Sequence, residues 1–205
     1  TYPDTGIKAI QELSFEVKKG QTVAILGKTG SGKSSVLDLI SRMYDIDSGK
    51  LIIDGVSIKN VPLSSLRKAI GAVPQDAFLF SDTIAKNIAF GKENSSQTDI
   101  EAAAKQAVVH NNIAAFSKGY ETILGERGIT LSGGQKQRVS IARALIKNPD
   151  IYLFDDCLSA VDTETEEAIL NALRKAATHK TTIIVSHRVS AAKNADKIIV
   201  LEDGK

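Results

Sequence analysis

The sequence predicts an α/β fold: a mainly parallel sheet covered by helices, with a small antiparallel lobe and a helical insertion at about 76 to 148. Three observations carry that prediction. Short continuous apolar runs recur at "TVAIL", "IYLF", "TTIIVS" and "KIIVLE", the mark of strands buried on both faces. Between them lie stretches of helical spacing or propensity, in the strand–helix alternation of a parallel sheet. The first run passes directly into "GKTGSGKS", a glycine-rich loop that opens a helix.

The elements follow in order. Residues 10–17, "IQELSFEV", alternate apolar and polar and predict a half-buried antiparallel strand. "TVAILG" (22–27) predicts a buried parallel strand ending in glycine. "SSVLDLISRMY" then has helical spacing, with Val36, Leu37, Ile40 and Met43 on one side. "GKLIIDGVSI" (49–58) predicts a hairpin turning at Asp54-Gly55, and "AIGAVPQ" (69–75) a strand stopped by Pro74. Residues 98–117 are Ala-rich and helical in propensity, and so is "GGQKQRVSIARALIK" after its glycine pair. "IYLF" (151–154), "TTIIVS" (181–186) and "KIIVLE" (197–202) are three more buried strands, with the helix "TETEEAILNALRKAA" between the first two. One domain over 1–205 results. Residues 1–75 and 149–205 form its core and β lobe, and 76–148 its helical lobe.

Composition narrows the class. Charged residues at 24% and apolar residues at 42% match ordinary globular usage. The net charge of +2 comes from intermixed signs without a basic block, so nothing points to nucleic acid. Cys157 is the single cysteine, which excludes an internal disulfide and a cysteine zinc cluster and suits a reducing compartment. No apolar run approaches the roughly 20 residues that span a bilayer. The chain opens on "TYPDTG" without a Met and stops at "VLEDGK", so it reads as a soluble piece of a longer protein.

"GKTGSGKS" matches G-x-x-x-x-G-K-[ST] between a strand and a helix, the P-loop pattern. Glycines let the backbone curl until consecutive N–H groups face one point, and the helix N-terminus adds partial positive charge. Gly27, Lys28, Thr29, Gly30, Ser31, Gly32, Lys33, Ser34 and Ser35 are therefore candidate contacts to a nucleotide. Lys33 is placed to reach the β- and γ-phosphates, and the Ser34 hydroxyl to ligate Mg²⁺. Ligands gather beyond the carboxyl ends of parallel strands. "IYLFDD" ends there in two carboxylates, which makes Asp155 a candidate Mg²⁺-organising group.

A second anion-binding helix start appears at "LSGGQ", where Ser132, Gly133, Gly134 and Gln135 combine a hydroxyl with exposed backbone donors. The pentapeptide is expected by chance in on the order of one chain in several thousand, so it discriminates among P-loop ATPases. With these motifs in order, the whole chain resembles the nucleotide-binding domain of an ATP-binding cassette (ABC) transporter. "GKTGSGKS" is similar to Walker A, "LSGGQ" to the signature, "IYLFDD" to Walker B and "SAVD" (159–162), with Asp162, to the D-loop. Gln75 in "VPQD" matches the Q-loop, His187 in "IIVSHR" the switch histidine, and Tyr2 the aromatic that stacks on adenine. "GERG" (125–128) and "TIAKNIAFG" (83–91) resemble type I exporters.

The resemblance implies a P-loop NTPase (RecA-like) core and two domains sandwiching two ATP molecules head to tail. Each site then takes Ser132, Gly133, Gly134 and Gln135 from the opposite domain. It implies ATP hydrolysis that drives export through membrane domains, with this domain at the cytoplasmic face. Gln75 is expected at Mg²⁺ or water, and His187 at the γ-phosphate and the attacking water. One position departs from the family: Asp156 stands where Glu polarises that water, and its carboxylate is one methylene shorter. Three readings stay open: slow hydrolysis with Asp156, the degenerate ATP-binding half of a heterodimeric exporter, or an introduced substitution. A non-transporter ABC ATPase is the further alternative. The DNA-repair kind is excluded by the 98 positions between Lys33 and Leu131, too few for a long coiled coil. The ribosome-associated kind normally carries two such domains in one chain.

Overall fold

The computed structural model describes the chain apart from residues 3, 126–130, 159–161 and 177. Its strands are β1 (Thr22–Leu26), β2 (Ile52–Ile53), β3 (Val56–Ser57), β4 (Ile70–Val73), β5 (Ile151–Asp155), β6 (Thr181–Ser186) and β7 (Lys197–Val200). Its helices are α1 (Lys33–Ile40), α2 (Leu63–Ala69), α3 (Ile84–Ala89), α4 (Gln97–Gln106), α5 (His110–Ala114), α6 (Gly133–Ile146) and α7 (Thr163–Ala176). Two compact units divide them. One comprises Thr1–Ile70, Asp150–Asp155 and His179–Lys205; the other comprises Gly71–Pro149 and Asp156–Thr178.

In the first unit four strands run parallel in the order β5-β6-β1-β7. Val23, Ile25, Leu153, Ile183 and Val185 turn inward from this sheet onto Val36, Leu37 and Ile40 of α1 and Leu66 of α2. The apolar runs of β1, β5 and β6 are thus strands covered by helices, as their composition requires. β7 is not the buried strand expected of "KIIVLE", because it ends the sheet order and leaves Ile198 and Val200 exposed. The 36, 37, 40 spacing puts one face of α1 on the sheet. That helix stops at Ile40, and Arg42 follows with a left-handed φ of +50°. The expected fourth core position, Met43, therefore lies past the helix end and is 62% exposed. Asp54 and Gly55 both have positive φ, which gives the β2–β3 hairpin the turn that matches strand twist.

Residues 10–17 do not form the expected strand. Leu13, Phe15 and Val17 do pack on the core while Ser14 and Glu16 face outward, so the period of two governs burial. No ladder accompanies it: Glu12 turns left-handed at φ +56°, and the Gln11 N–H donates to the Gly204 carbonyl. Alternation selects a face, but a strand also needs a partner backbone.

The second unit is helical, with α3, α4 and α6 packed on one another and α7 against α4. Ala103, Ala104, Val139 and Ala142 are fully or almost fully buried, small side chains that let helices approach closely. Residues 98–117, helical in propensity, form α4 and α5 with a break at Val108, whose φ of +55° is costly for a β-branched residue. Ser96 and Asp99 form a reciprocal capping box at the start of α4. Among the described residues no helix is long and apolar enough to cross a membrane.

After α3 the backbone passes α6 so closely that a Cβ on Gly91 would lie 2.0 Å from the Arg143 carbonyl oxygen. Gly91→Ala is expected to lower stability by about 1–3 kcal/mol, because backbone must move to admit it. A lower urea midpoint at constant m value reads that loss; an unchanged midpoint contradicts the packing.

Candidate functional site

The loop between β1 and α1 is set by two close approaches. A Cβ on Gly27 would meet the Leu201 carbonyl oxygen at 2.3 Å, and one on Gly32 the Ala9 carbonyl oxygen at 2.4 Å. Gly32 also carries φ +97° as the residue that precedes α1. No side chain caps α1 and its first turn holds no acidic residue of its own, so its N-terminal N–H groups are not taken up by a capping side chain. Inside the loop the Ser31 hydroxyl is buried without a hydrogen-bond partner. A buried polar atom left in that state costs free energy, and a phosphate oxygen would satisfy it. The Lys33 Nζ donates to the Gly27 and Lys28 carbonyls, both at 2.7 Å. A loop closed by glycines, with one orphaned hydroxyl and one ammonium at its edge, is chemically suited to a phosphate chain.

Strand register brings further groups to the same edge. Leu26 pairs with Ser186, so Gly27 and His187 are the next residues of adjacent strands. Asp155 pairs with Val185 on the other side of β6. The Ser34 Oγ donates to the Asp155 Oδ1 at 3.0 Å, which joins the first turn of α1 to the last residue of β5. Two hard oxygen donors thus meet at the C-terminal ends of the strands, a donor set suited to Mg²⁺. His187 is exposed.

Tyr2 meets the first turn of α1 at Ser35. Its hydroxyl shares a 2.8 Å hydrogen bond with Ser35, and its ring meets Tyr44 edge-on at 5.1 Å between centroids. Both rings line a cavity of about 120 Å³ together with Leu39 and Asp47.

The remaining expected residues, Gln75, Asp156, Ser132–Gln135 and Asp162, belong to the second unit. Gln75 opens an irregular segment after β4, and its carbonyl accepts from the Gln137 Nε2 at 3.3 Å. Asp156 directly follows β5 with φ +41°, a left-handed conformation that Asp tolerates better than most side chains. Ser132 is the N-cap of α6. Its Oγ accepts from the Gln135 N–H at 3.3 Å, while the Gln135 Oε1 accepts from the Ser132 N–H at 3.0 Å. Two residues of "LSGGQ" therefore form a capping box, which the S-x-x-Q spacing makes readable from sequence. Because the Ser132 oxygen accepts in that box, its O–H remains a donor.

Asp162 caps α7 by accepting from the Thr165 N–H at 2.9 Å. That backbone bond holds its carboxyl below the usual range, with a smaller contribution from the Arg138 charge. The rest of "SAVD", residues 159–161, lies outside the described residues, as do residues 126–128 of "GERG". Gln137, absent from the expected set, reveals itself by its burial and its bond to Gln75.

Comparison with known proteins adds a family and its relatives. A family model described as ABC transporter matches residues 10–159. The "ATP-binding cassette sub-family B member 6" of Mus musculus is 51% identical over 204 residues, all of this chain and 24% of that protein. An "ATM1-type heavy metal exporter" of Novosphingobium aromaticivorans is 49% identical over 202 residues, 98% of this chain and 33% of that protein. Among solved structures, a bacterial Atm1-family ABC exporter with ATP bound superimposes with a TM-score of 0.93 at 50% identity, covering 96% of this chain and 35% of that one. The chain thus spans about a quarter to a third of the relatives it matches.

The capping box supports a direct expectation. Ser132→Ala should cost about 1 kcal/mol of stability. The unfolding midpoint checks it, and a midpoint equal to wild type would mean that Ser132 does not cap α6.

Proposed function

We propose, on the premise that this chain belongs to the ABC transporter family and is one of its ATP-binding domains, that it binds ATP with Mg²⁺ at Gly27–Ser35 and hydrolyses it to power export. The observation that carries the reading is the Ser34–Asp155 pair beside a phosphate-shaped loop. In this reading Lys33 exchanges its two loop carbonyls for phosphate oxygens, and the Ser31 hydroxyl and the N–H groups opening α1 cradle the chain. Tyr2 stacks on adenine after releasing Ser35 or Tyr44. Ser34 and Asp155 hold Mg²⁺, joined by the Gln75 side chain. When bound, the ion supplies Lewis-acid charge to the β- and γ-phosphates.

His187 positions the γ-phosphate and a water. Asp156 accepts that water's proton while its oxygen bonds to phosphorus, and the bond to the bridging oxygen breaks to leave ADP. Ser132, Gly133, Gly134 and Gln135 close on the γ-phosphate of a second such domain, head to tail, with Asp162 beside the same interface. The cap leaves the Ser132 O–H and the two glycine N–H groups as the donors for that contact. Membrane domains are the other partner, and the cytoplasmic face is where ATP and this domain meet.

Asp156 favours a second reading, an ATP-binding half of a heterodimer with little hydrolysis of its own. The shorter carboxylate reaches less far, and loss of a general base typically costs roughly 10²- to 10⁴-fold. ATP turnover of the full-length protein, as found and as Asp156→Glu, separates the two. Measurable turnover with a gain below about tenfold identifies Asp156 as the working base. A gain of about 10²-fold or more identifies the binding half. No turnover in either form removes the enzymatic proposal.

A further inference from the structure

Gln137 sits on α6, two positions after the "LSGGQ" pentapeptide, and is 5% exposed. A buried side-chain amide needs partners, and one of its donors goes to the Gln75 carbonyl. Gln75 starts a segment, residues 75–80, without helix or strand, so its backbone groups must be satisfied by other means. α6 supplies them at a second point as well. The Arg143 Nη1 donates to the Phe78 carbonyl at 2.8 Å, and Arg143 also binds the Asn87 carbonyl and Oδ1. Asn87, 1% exposed, in turn receives the Phe80 N–H and donates to the Phe80 carbonyl. The segment is therefore fastened at its far end by Arg143 and Asn87, and at Gln75 by Gln137.

We infer that Gln137 is a positioning residue: its buried amide ties the backbone of Gln75 to α6, so that the Gln75 side chain and the Ser132 end of that helix share one support. This inference rests on the reading of Gln75 as a ligand-facing group. Arg143 lacks this role, because it grips the segment three residues further on. A displacement of α6 that carries the Ser132 terminus acts on the Gln75 carbonyl through the Gln137 side chain. Loss of the donor frees the loop at the one residue expected to face Mg²⁺ or water.

The test is a double-mutant cycle on ATP turnover in the full-length protein: Gln75→Ala, Gln137→Met and the pair. Met keeps the length and volume of Gln but donates no hydrogen bond. Gln137→Asn, whose amide is one methylene too short to reach, takes its place if the Met variant fails to fold. Gln75→Ala is expected to lower kcat about tenfold or more, and Gln137→Met about two- to tenfold with KM for ATP within about twofold. The pair should be no slower than Gln75→Ala alone, because Gln137 acts only through the Gln75 side chain. If the two losses multiply, Gln137 merely supports the helical unit and the inference is wrong. A Gln137→Met protein with wild-type turnover overturns it equally. If Gln75→Ala itself changes nothing, the ligand-facing role of Gln75 fails first.

Discussion

The site depends on a constraint of space: the backbone between β1 and α1 approaches its neighbours too closely to admit a Cβ at Gly27 or Gly32. Those contacts hold the strand-to-helix turn tight, and the tight turn directs N–H groups toward a single point. The other features on this edge follow from the sheet. Parallel order puts the C-terminal ends of β1, β5 and β6 side by side, so that the loop, Asp155 and His187 share one edge of the sheet. The Ser34–Asp155 hydrogen bond closes the arrangement between helix and strand.

At the signature segment the proposed function asks one set of atoms to serve fold and ligand together. Ser132 and Gln135 satisfy each other's backbone donors and start α6, and the same cap leaves a hydroxyl and two glycine N–H groups at the helix end. In the proposed function, substituting Ser132 changes helix stability and anion affinity at once, so the two need separate readouts. Asp162 repeats the pattern at α7, where the Thr165 N–H that fixes the helix start also keeps the carboxyl ionised.

What the sequence made legible was local. The apolar runs, the Asp54-Gly55 turn and the glycine-rich loop are set by residues within a few positions of one another, and the structure holds them as strands, turn and loop. What it hid was not local. Residues 10–17 carry the right alternation, but whether a ladder forms depends on a backbone far along the chain. Met43 satisfies helical spacing, yet Arg42 turns left-handed first. Val108 splits a stretch of good helix formers by a conformation that its residue type disfavours. At the candidate site the residue types were readable, whereas the Ser34–Asp155 contact and the Gln137–Gln75 bond span 121 and 62 positions. The capping box was readable as well, since S-x-x-Q is a spacing rule.

In the proposed function a nucleoside triphosphate lodges at the Gly27–Ser35 turn with Lys33 as its cationic contact. Calorimetric titration of ATP into wild-type and Lys33→Ala protein tests it most directly. Wild type is expected to bind in Mg²⁺, and the folded variant to bind with an affinity lower by about tenfold to 10²-fold, the value of a charge-assisted hydrogen bond. Equal affinity in both proteins would contradict it.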